Sequence, residues 1–418
     1  MKFNTSKYNS HWKDKKLSEL GSFNRGKSKH RPRNDSVLFD GGQYPLVQTG
    51  EVKGANLFID KHRAAYNDFG LSQSKLWPKD TLCITIAANI AETALLSYPM
   101  CFPDSIVGFL ADKEESSELF MHYVFTYIRR SIQSSASGSI QDNINIEYLT
   151  GLNFKIPEKG YQDKIVSVLS TIDKKIELNN KINTELEAMA KLIYDYWFVQ
   201  FDFPDANGKP YKSSGGKMVY NEELKREIPD GWEVGTLLNI ATFANGIACQ
   251  KYRPTEHEDF YKVIKIREMG AGFTEKSEFV SQNIPEKVVV NNGDILFSWS
   301  ATLDVKIWTG GTGGLNQHIF KVTSSKYPRT YYYFEVLRYL QHFKMIAELR
   351  KTTMGHITQD HLKQSRISIA PNELINNLHQ IIDPILNKVV KNSEENQNLT
   401  ELRDWLLPML MNGQVTVK

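Results

Sequence analysis

The sequence predicts an α/β or α+β domain written twice, each copy followed by a long helix, with the two helices paired antiparallel as a coiled coil. Three observations carry this: self-similarity at long range, two heptad stretches, and a Gly/Pro/Ser/Lys-rich segment between the copies. In chain order the reading is a first domain over 1–155, a helix over 156–200, a linker over 201–231, a second domain over 232–370 and a helix over 371–412.

The repeat comes first. "HWKDKKLSELGSFNRG" (11–26) answers "GWEVGTLLNIATFANG" (231–246), pairing Trp12 with Trp232, Leu17 with Leu237, Phe23 with Phe243 and Gly26 with Gly246, each 220 residues apart. "YPLV" (44–47) answers "YKVI" (261–264), and "DTLCITIAANI" (80–90) answers "GDILFSWSATL" (293–303). "SGSIQDNINIEYL" (137–149) is echoed more loosely by "MGHITQDHL" (354–362), and "NTELEAMAKLI" (183–193) by "LTELRDWLLPML" (399–410). Within each domain, short apolar runs punctuated by Gly, Pro and Asn predict a mostly irregular sheet. One amphipathic stretch in each, 118–133 and 330–350, predicts a helix.

After Pro157 no Pro or Gly occurs from 161 to 203. Ile165, Ile172, Leu186 and Ile193 recur at sevens, with Leu169, Ile176, Ala190 and Trp197 four positions on. After Pro371 the same spacing joins Leu378, Ile385, Leu399 and Leu406, with Ile382, Val389 and Leu410 four on. These are two coiled-coil seams, and about 40 residues of helix span about 60 Å. Pro384 and Pro408 predict a kink at one and an end near the other. Asn179 and Asn183 lie near the middle of the first seam, Asn392 and Asn396 near the middle of the second. In an antiparallel pair these amides would meet and fix register; the alternative is that they sit on a wet face.

Composition sets bounds. Hydrophobic content of 41% and charged content of 24% are ordinary for a soluble globular chain, and a net charge of +3 announces no partner. Residues 1–35 are different, with ten Lys/Arg against three acids, a basic end compatible with phosphate contacts. Cys83, Cys101 and Cys249 form no C-x-x-C pair, which argues against a disulfide framework or a cysteine zinc site. The start has no apolar core of a signal peptide, and Asn89 and Glu92 interrupt the most apolar run, so a cytoplasmic location is expected.

One motif needs weighing. "GSFNRGKS" (21–28) matches the phosphate-cradling pattern G-x-x-x-x-G-K-[ST], which works only between a buried strand and a helix N-terminus. The flanks are charged upstream and carry Pro32 downstream, and the second copy reads "ATFANGIA", lacking the leading Gly, the Lys and the Ser. The shared content is an aromatic followed by a Gly-ended turn, so no nucleotide site is expected. No N-P-P-[FYW] or D-P-P-Y, nuclease core or H-E-x-x-H is present, and no catalytic residue or metal ligand is assigned.

With the order domain–helix–domain–helix in hand, the chain resembles the DNA-specificity subunit of type I restriction–modification systems over nearly its whole length. The likeness rests on "YWFVQFDFP", "IPDGWEV", "GDILFSWSAT", "GLNQHIFKV" and "CFPDSIVGF" in their order. The resemblance implies two target-recognition domains, each reading one half of an asymmetric bipartite site on double-stranded DNA, with the helix pair as ruler. It implies partners too: two methyltransferase subunits with S-adenosylmethionine, and restriction/translocase subunits using ATP and Mg²⁺. No cofactor is expected on this chain. The alternative is a stand-alone two-domain DNA-binding or scaffold protein without methylating partners.

Candidate contacts are side chains suited to phosphates or base edges in loops beside apolar runs. In the first domain these are Arg25, Lys27, Lys29, Arg31 and Arg33 for phosphates, with Gln48, Thr49, Asn89, Ser139 and Gln141 for bases. In the second they are Lys251, Arg253, Lys265, Arg267, Ser298, Ser300, Thr302, Lys351, Thr353 and His356. Gln317 and His318 have the alternative of capping a strand. Trp197, Phe201, Phe203 and Trp405 are read as core or partner-contact residues at the helix ends.

Overall fold

The computed structural model describes residues 2–137, 144–349 and 356–417. By contact the chain divides into two units, Met1–Glu177 with Asn398–Lys418, and Leu178–Gln397, so each unit draws on both long helices. The long helices are Lys159–Tyr194, followed by a wider-wound turn over Asp195–Val199, and Asn372–Met411.

In the first unit a five-stranded sheet has the order Gly21–Arg25, Ile106–Ala111, Leu82–Thr85, Thr93–Leu96, Phe58–Ile59. A four-stranded sheet has the order Ala64–Tyr66, Tyr44–Leu46, Met100–Cys101, Leu76–Trp77, its middle pair parallel. In the second unit one sheet runs Thr242–Asn245, Ile319–Thr323, Ile295–Ser298, Asp304–Ile307. The other runs Phe279–Ser281, Phe260–Ile264, Gly313–Leu315, Val289–Val290, and its middle pair is again parallel. The repeat seen in sequence is therefore a repeat of topology, apart from the edge strand Phe58–Ile59 that the first copy adds. The sheets are regular, contrary to the expectation of an irregular one. Their strands are two to six residues long, too short to display a period.

Burial explains the continuous apolar runs. Leu82 and Ile84 face a core built on the helix Glu118–Ser137, while Cys83 joins Trp77 and Phe102 on the opposite side. Ile295 and Phe297 face the core of the second unit, and Leu296 joins Trp308 and Leu315 behind them. A strand covered on both faces carries no polar alternation.

Glycine is kept in both copies where the backbones crowd. A Cβ on Gly26 would lie 2.3 Å from the carbonyl oxygens of Phe102 and Pro103, and one on Gly246 would lie 2.2 Å from that of Asn316.

The long helices run antiparallel where they meet. Asn179 Nδ2 donates to Glu395 Oε2 at 2.8 Å and Asn396 Oδ1 at 2.9 Å. Asn392 Nδ2 donates to Asn183 Oδ1 at 2.8 Å, and Asn183 Nδ2 to Ser393 Oγ at 3.1 Å. Asn179 and Asn392 are buried, so the four asparagines form a shared polar layer rather than a wet face. Ile165, Ile172 and Leu378 are buried as the heptads require; Leu186, Ile193, Ile385, Leu399 and Leu406 are half-buried. The buried stripe of the second helix is wider than a two-position seam, adding Ile375, Leu386 and Val390, because that helix also floors the second domain. It stays helical through Pro384 and Pro408 and ends three residues beyond the latter.

The segment 201–231, expected as a linker, is folded. Phe201, Phe203 and Ile228 enter the core of the second unit, Phe203 stacks on Tyr211 at 4.6 Å and on Trp232 at 5.8 Å, and Met218–Asn221 pairs with Arg226–Pro229. Its polar composition hid three apolar anchors. Trp197 is buried with them.

In the first unit a buried tie joins the domain to both helices. Tyr123 Oη donates to Asp173 Oδ2 at 2.6 Å, and Arg403 meets Asp173 Oδ1 at 2.9 Å. Beside it His122 is buried, with Nδ1 3.0 Å from Thr93 Oγ1. Burial, then Arg129 and Arg403, pull its pKa down to about 3.

Because the folded pKa of His122 lies below the unfolded value of 6.5, the unfolded chain binds the proton first, and stability falls as pH drops from about 6.5 towards about 3. The loss should be of the order of a few kcal/mol, and His122→Gln should flatten acid unfolding curves in that window. Asn179→Leu combined with Asn392→Leu should keep the helices paired but loosen register. Cysteines placed by Ile176→Cys and Leu399→Cys should then cross-link alongside heptad-shifted pairs; a single unshifted register would remove the asparagines from that role.

Candidate nucleic-acid interface

The strand Gly21–Arg25 leads into a basic loop without a helix. Gly26 N donates to Ile106 O at 2.9 Å, Lys27 N to Phe102 O at 3.2 Å and Lys29 N to Gln73 O at 3.1 Å. The amides that a phosphate-binding loop would offer are spent on the protein's own carbonyls, so the G-x-x-x-x-G-K-S match has no cradle. Its side chains point out instead. Arg25, Lys27, Lys29, Arg31 and Arg33 are all exposed. Asp104 tethers two of them, Arg33 at 2.6 Å and Arg31 at 3.8 Å, and Arg31 Nη1 also donates to Ser28 O at 2.6 Å.

Beside this loop lies a recess of about 470 Å³ in the first unit. Phe39 and Tyr66, ring centroids 5.3 Å apart, form an aromatic wall, and Ser28, Arg33, Gln48, Thr49, Ala87 and Ala88 are among the other residues that line it. Gln48 stands at the start of the short helix Thr49–Gly54, its backbone N–H donating to Glu51 Oε2 at 3.1 Å. Asn89 lies just beyond Ala88, with Oδ1 3.1 Å from Lys53 Nζ. The structure thus gathers Arg33, Gln48 and Thr49, with Asn89 adjacent, from stretches far apart in sequence.

The second unit sorts its candidates. Lys251 and Arg253 are exposed after the turn at Gly246. Lys265 caps the helix Ile266–Ala271 as Gln48 caps its counterpart, but its ammonium pairs with Glu278 at 2.5 Å and draws that carboxyl below its usual range. Arg267 pairs with the buried Glu268 at 2.5 Å, which also accepts from Ser277 Oγ at 3.0 Å. These two cations are spent within the domain. Ser298 and Ser300 are buried, which corrects their assignment as base contacts. Ser298 Oγ instead donates to Thr302 O at 2.5 Å and accepts from Asp304 N at 2.9 Å, knotting a tight loop. Thr302 and His356 remain exposed. Ser139, Gln141, Lys351 and Thr353 lie outside the described residues.

Sequence reasoning missed Trp299. Its ring centroid lies 5.6 Å from those of both His318 and His356, and its Nε1 donates to Asn245 Oδ1 at 3.0 Å. Asn245 is the counterpart of Arg25 in the repeat. The available signal was a tryptophan inside "FSWSAT", read there as part of an apolar strand. Gln317 and His318 stand immediately before the strand Ile319–Thr323, with the backbone N–H of Gln317 donating to Ile247 O at 2.9 Å.

Among the described residues no three His, Cys, Asp or Glu side chains converge to hold a metal ion, and no helix is long and apolar enough to cross a membrane.

Comparison with known proteins matches these features. The chain is 24% identical to the type I restriction enzyme MjaIX specificity subunit of Methanocaldococcus jannaschii, covering 97% of this chain and 94% of that one. It is 25% identical to the HindI specificity subunit of Haemophilus influenzae, covering 97% and 100%. Its fold is similar to the crystal structure of a type I restriction–modification S subunit from M. genitalium, with a TM-score of 0.58 at 15% identity over 98% of this chain and 99% of that one. The family model of the type I restriction modification DNA specificity domain matches residues 9–188 and again 229–403. With one topology built twice and that model matching each copy, the chain belongs to the type I restriction modification DNA specificity family.

Proposed function

We propose that the chain reads a bipartite site on double-stranded DNA, one half with each domain, and confers that specificity on methylating subunits without performing chemistry itself. The observation that carries this reading is the repeat of topology under unlike surface side chains. Arg25, Lys27, Lys29 and Gln48 are exposed in one copy, with Thr49 and Asn89 half-buried beside them, and Lys251, Arg253, Thr302 and His356 are exposed in the other. Equal scaffolds with unequal contacts suit two different half-sites. The antiparallel helix pair is the element suited to set the spacer between them.

The partners would dock on the helices. Leu192, 66% exposed, lies with Met189 and Tyr196 on one outward face. Trp405, 56% exposed, lies with Leu402 on the other helix. Met189 and Trp405 occupy equivalent places in the repeat. Apolar side chains left in water at matching positions suit two copies of one partner, and an exposed Trp is a preferred anchor. A partner-free scaffold has no use for them. S-adenosylmethionine, ATP and Mg²⁺ would be held by the partners.

Exchanging residues 1–155 for those of a relative with another target should change one half-site, read by sequencing DNA selected from a random pool, and leave the other half and the spacer alone. Change in both halves would count against independent domains. Trp405→Ala or Leu192→Ala should each cost one methylating subunit on co-purification, lowering the ratio from two to one, with binding at that position weakened roughly thirtyfold.

A further inference from the structure

We infer that Ala88 with Asn89, and Ala301 with Thr302, are the base-reading tips of the two domains, and that Thr85 and Ser298 are the positioning residues that hold them. This rests on the DNA-reading function proposed above and adds which side chains do the reading. The ligand class is the major-groove edge of an A·T pair, with its thymine methyl against the alanine methyl.

The two loops share one construction although their sequences differ. In the first copy Thr85 Oγ1 donates to Asn89 O and accepts from Glu92 N at 3.0 Å. In the second, Ser298 Oγ donates to Thr302 O at 2.5 Å and accepts from Asp304 N at 2.9 Å. The residue after each hydroxyl is clamped twice. Ile86 N donates to Ser105 O at 3.0 Å and its carbonyl accepts from Ile144 N at 3.1 Å. Trp299 N donates to His318 O at 3.3 Å and its carbonyl accepts from Ile357 N at 3.0 Å. In the first copy the far side of the loop is held as well, because Arg129 Nε donates to Ala91 O at 3.2 Å and Gln133 Nε2 to Ile90 O at 2.9 Å.

What these bonds hold in place is strained and exposed. Ala88 has φ +61° and Ala301 φ +57°, the left-handed region where an L residue is uncommon and glycine is at ease. Both alanines are exposed, so packing does not account for the methyl. A methyl retained at the tip of both copies, where glycine would relieve the backbone, points outward to a use. Alanine is one of the side chains suited to the thymine methyl, while a neighbouring amide or hydroxyl reads hydrogen-bonding edges. The first tip also lies where DNA is expected, since Ala87 and Ala88 share a recess with Arg33, Gln48 and Thr49. Asn89 and Thr302 differ in chemistry, which makes the half-sites differ.

The test uses the full chain and selection from random duplex DNA, followed by binding to the selected site with single thymines replaced by uracil. Ala301→Gly should leave thermal unfolding within a few degrees of the parent and reduce discrimination roughly tenfold at one position of the second half-site only. Ala88→Gly should do the same in the first half-site only. At those positions uracil should weaken the parent and leave the glycine variant unchanged. Ser298→Ala should relax the second half-site, and Ser298→Thr, which restores the hydroxyl of the other copy, should retain it. Unchanged discrimination in the glycine variants beside a parent with a bipartite preference would overturn this inference alone. A parent with no bipartite preference would overturn both this inference and the proposed function.

Discussion

Everything exposed on this protein depends on a core that each domain shares with the long helices. In the first unit Phe109, Phe120 and Val124 of the domain lie in one apolar cluster with Ile165, Leu169, Leu407 and Leu410 of the helices. In the second, Phe297, Phe320 and Phe343 join Tyr194, Ile375, Leu378 and Ile382. Each such side chain contributes about 2 kcal/mol by its removal from water, so a domain cannot lift from its helices and stay folded. The ion pair of Asp173 with Arg403, joined by Tyr123, adds direction to that adhesion, since a buried charge tolerates only its own partner. The orientation of the exposed loops within a unit is therefore inherited from helix packing rather than chosen loop by loop.

The polar layer of the helix pair works by the same logic with the opposite sign. Apolar seams alone are satisfied by several registers a heptad apart, whereas Asn179 and Asn392, both buried, are satisfied only by the amides and carboxylate that face them. A slip would leave buried amides unpaired at about 1–3 kcal/mol each. Stability is given up there in exchange for a single register.

The sequence revealed large-scale organisation and concealed local function, for physical reasons. Repeats and heptads are periodic over tens of residues, so Trp12 with Trp232 or Ile165 with Ile172 stood out; antiparallel geometry offered the meeting of the four asparagines as one of two readings, and their hydrogen bonds decide between them. Strand pairing did not stand out, because strands such as Leu82–Thr85 are short and buried on both faces. Ser298 was misread because a hydroxyl in a loop looks the same whether it faces solvent or closes a turn, and only its bonds to Thr302 and Asp304 distinguish the two. Lys265 was overvalued because its acidic partner, Glu278, becomes a neighbour only in the fold, and Arg267 because adjacency to Glu268 in sequence does not say that the two side chains pair. Trp299 was overlooked because it was read as part of the apolar strand, which ends one residue earlier at Ser298, and its ring lies against His318 and His356, residues distant in sequence.

What the two copies keep and what they let go separates scaffold from recognition without any other sequence. Gly26 and Gly246 keep a close approach of backbones, Glu51 and Glu268 cap the same short helix, and Thr85 and Ser298 close the same loop. These positions fix where the main chain goes, and a change at any of them would move several loops together. The positions they support have diverged: Arg25 against Asn245, Gln48 against Lys265, Asn89 against Thr302. Divergence confined to side chains on a retained backbone is the pattern expected when two surfaces meet chemically different segments of one kind of ligand. Duplex DNA is such a ligand, with a constant phosphate backbone and variable base edges.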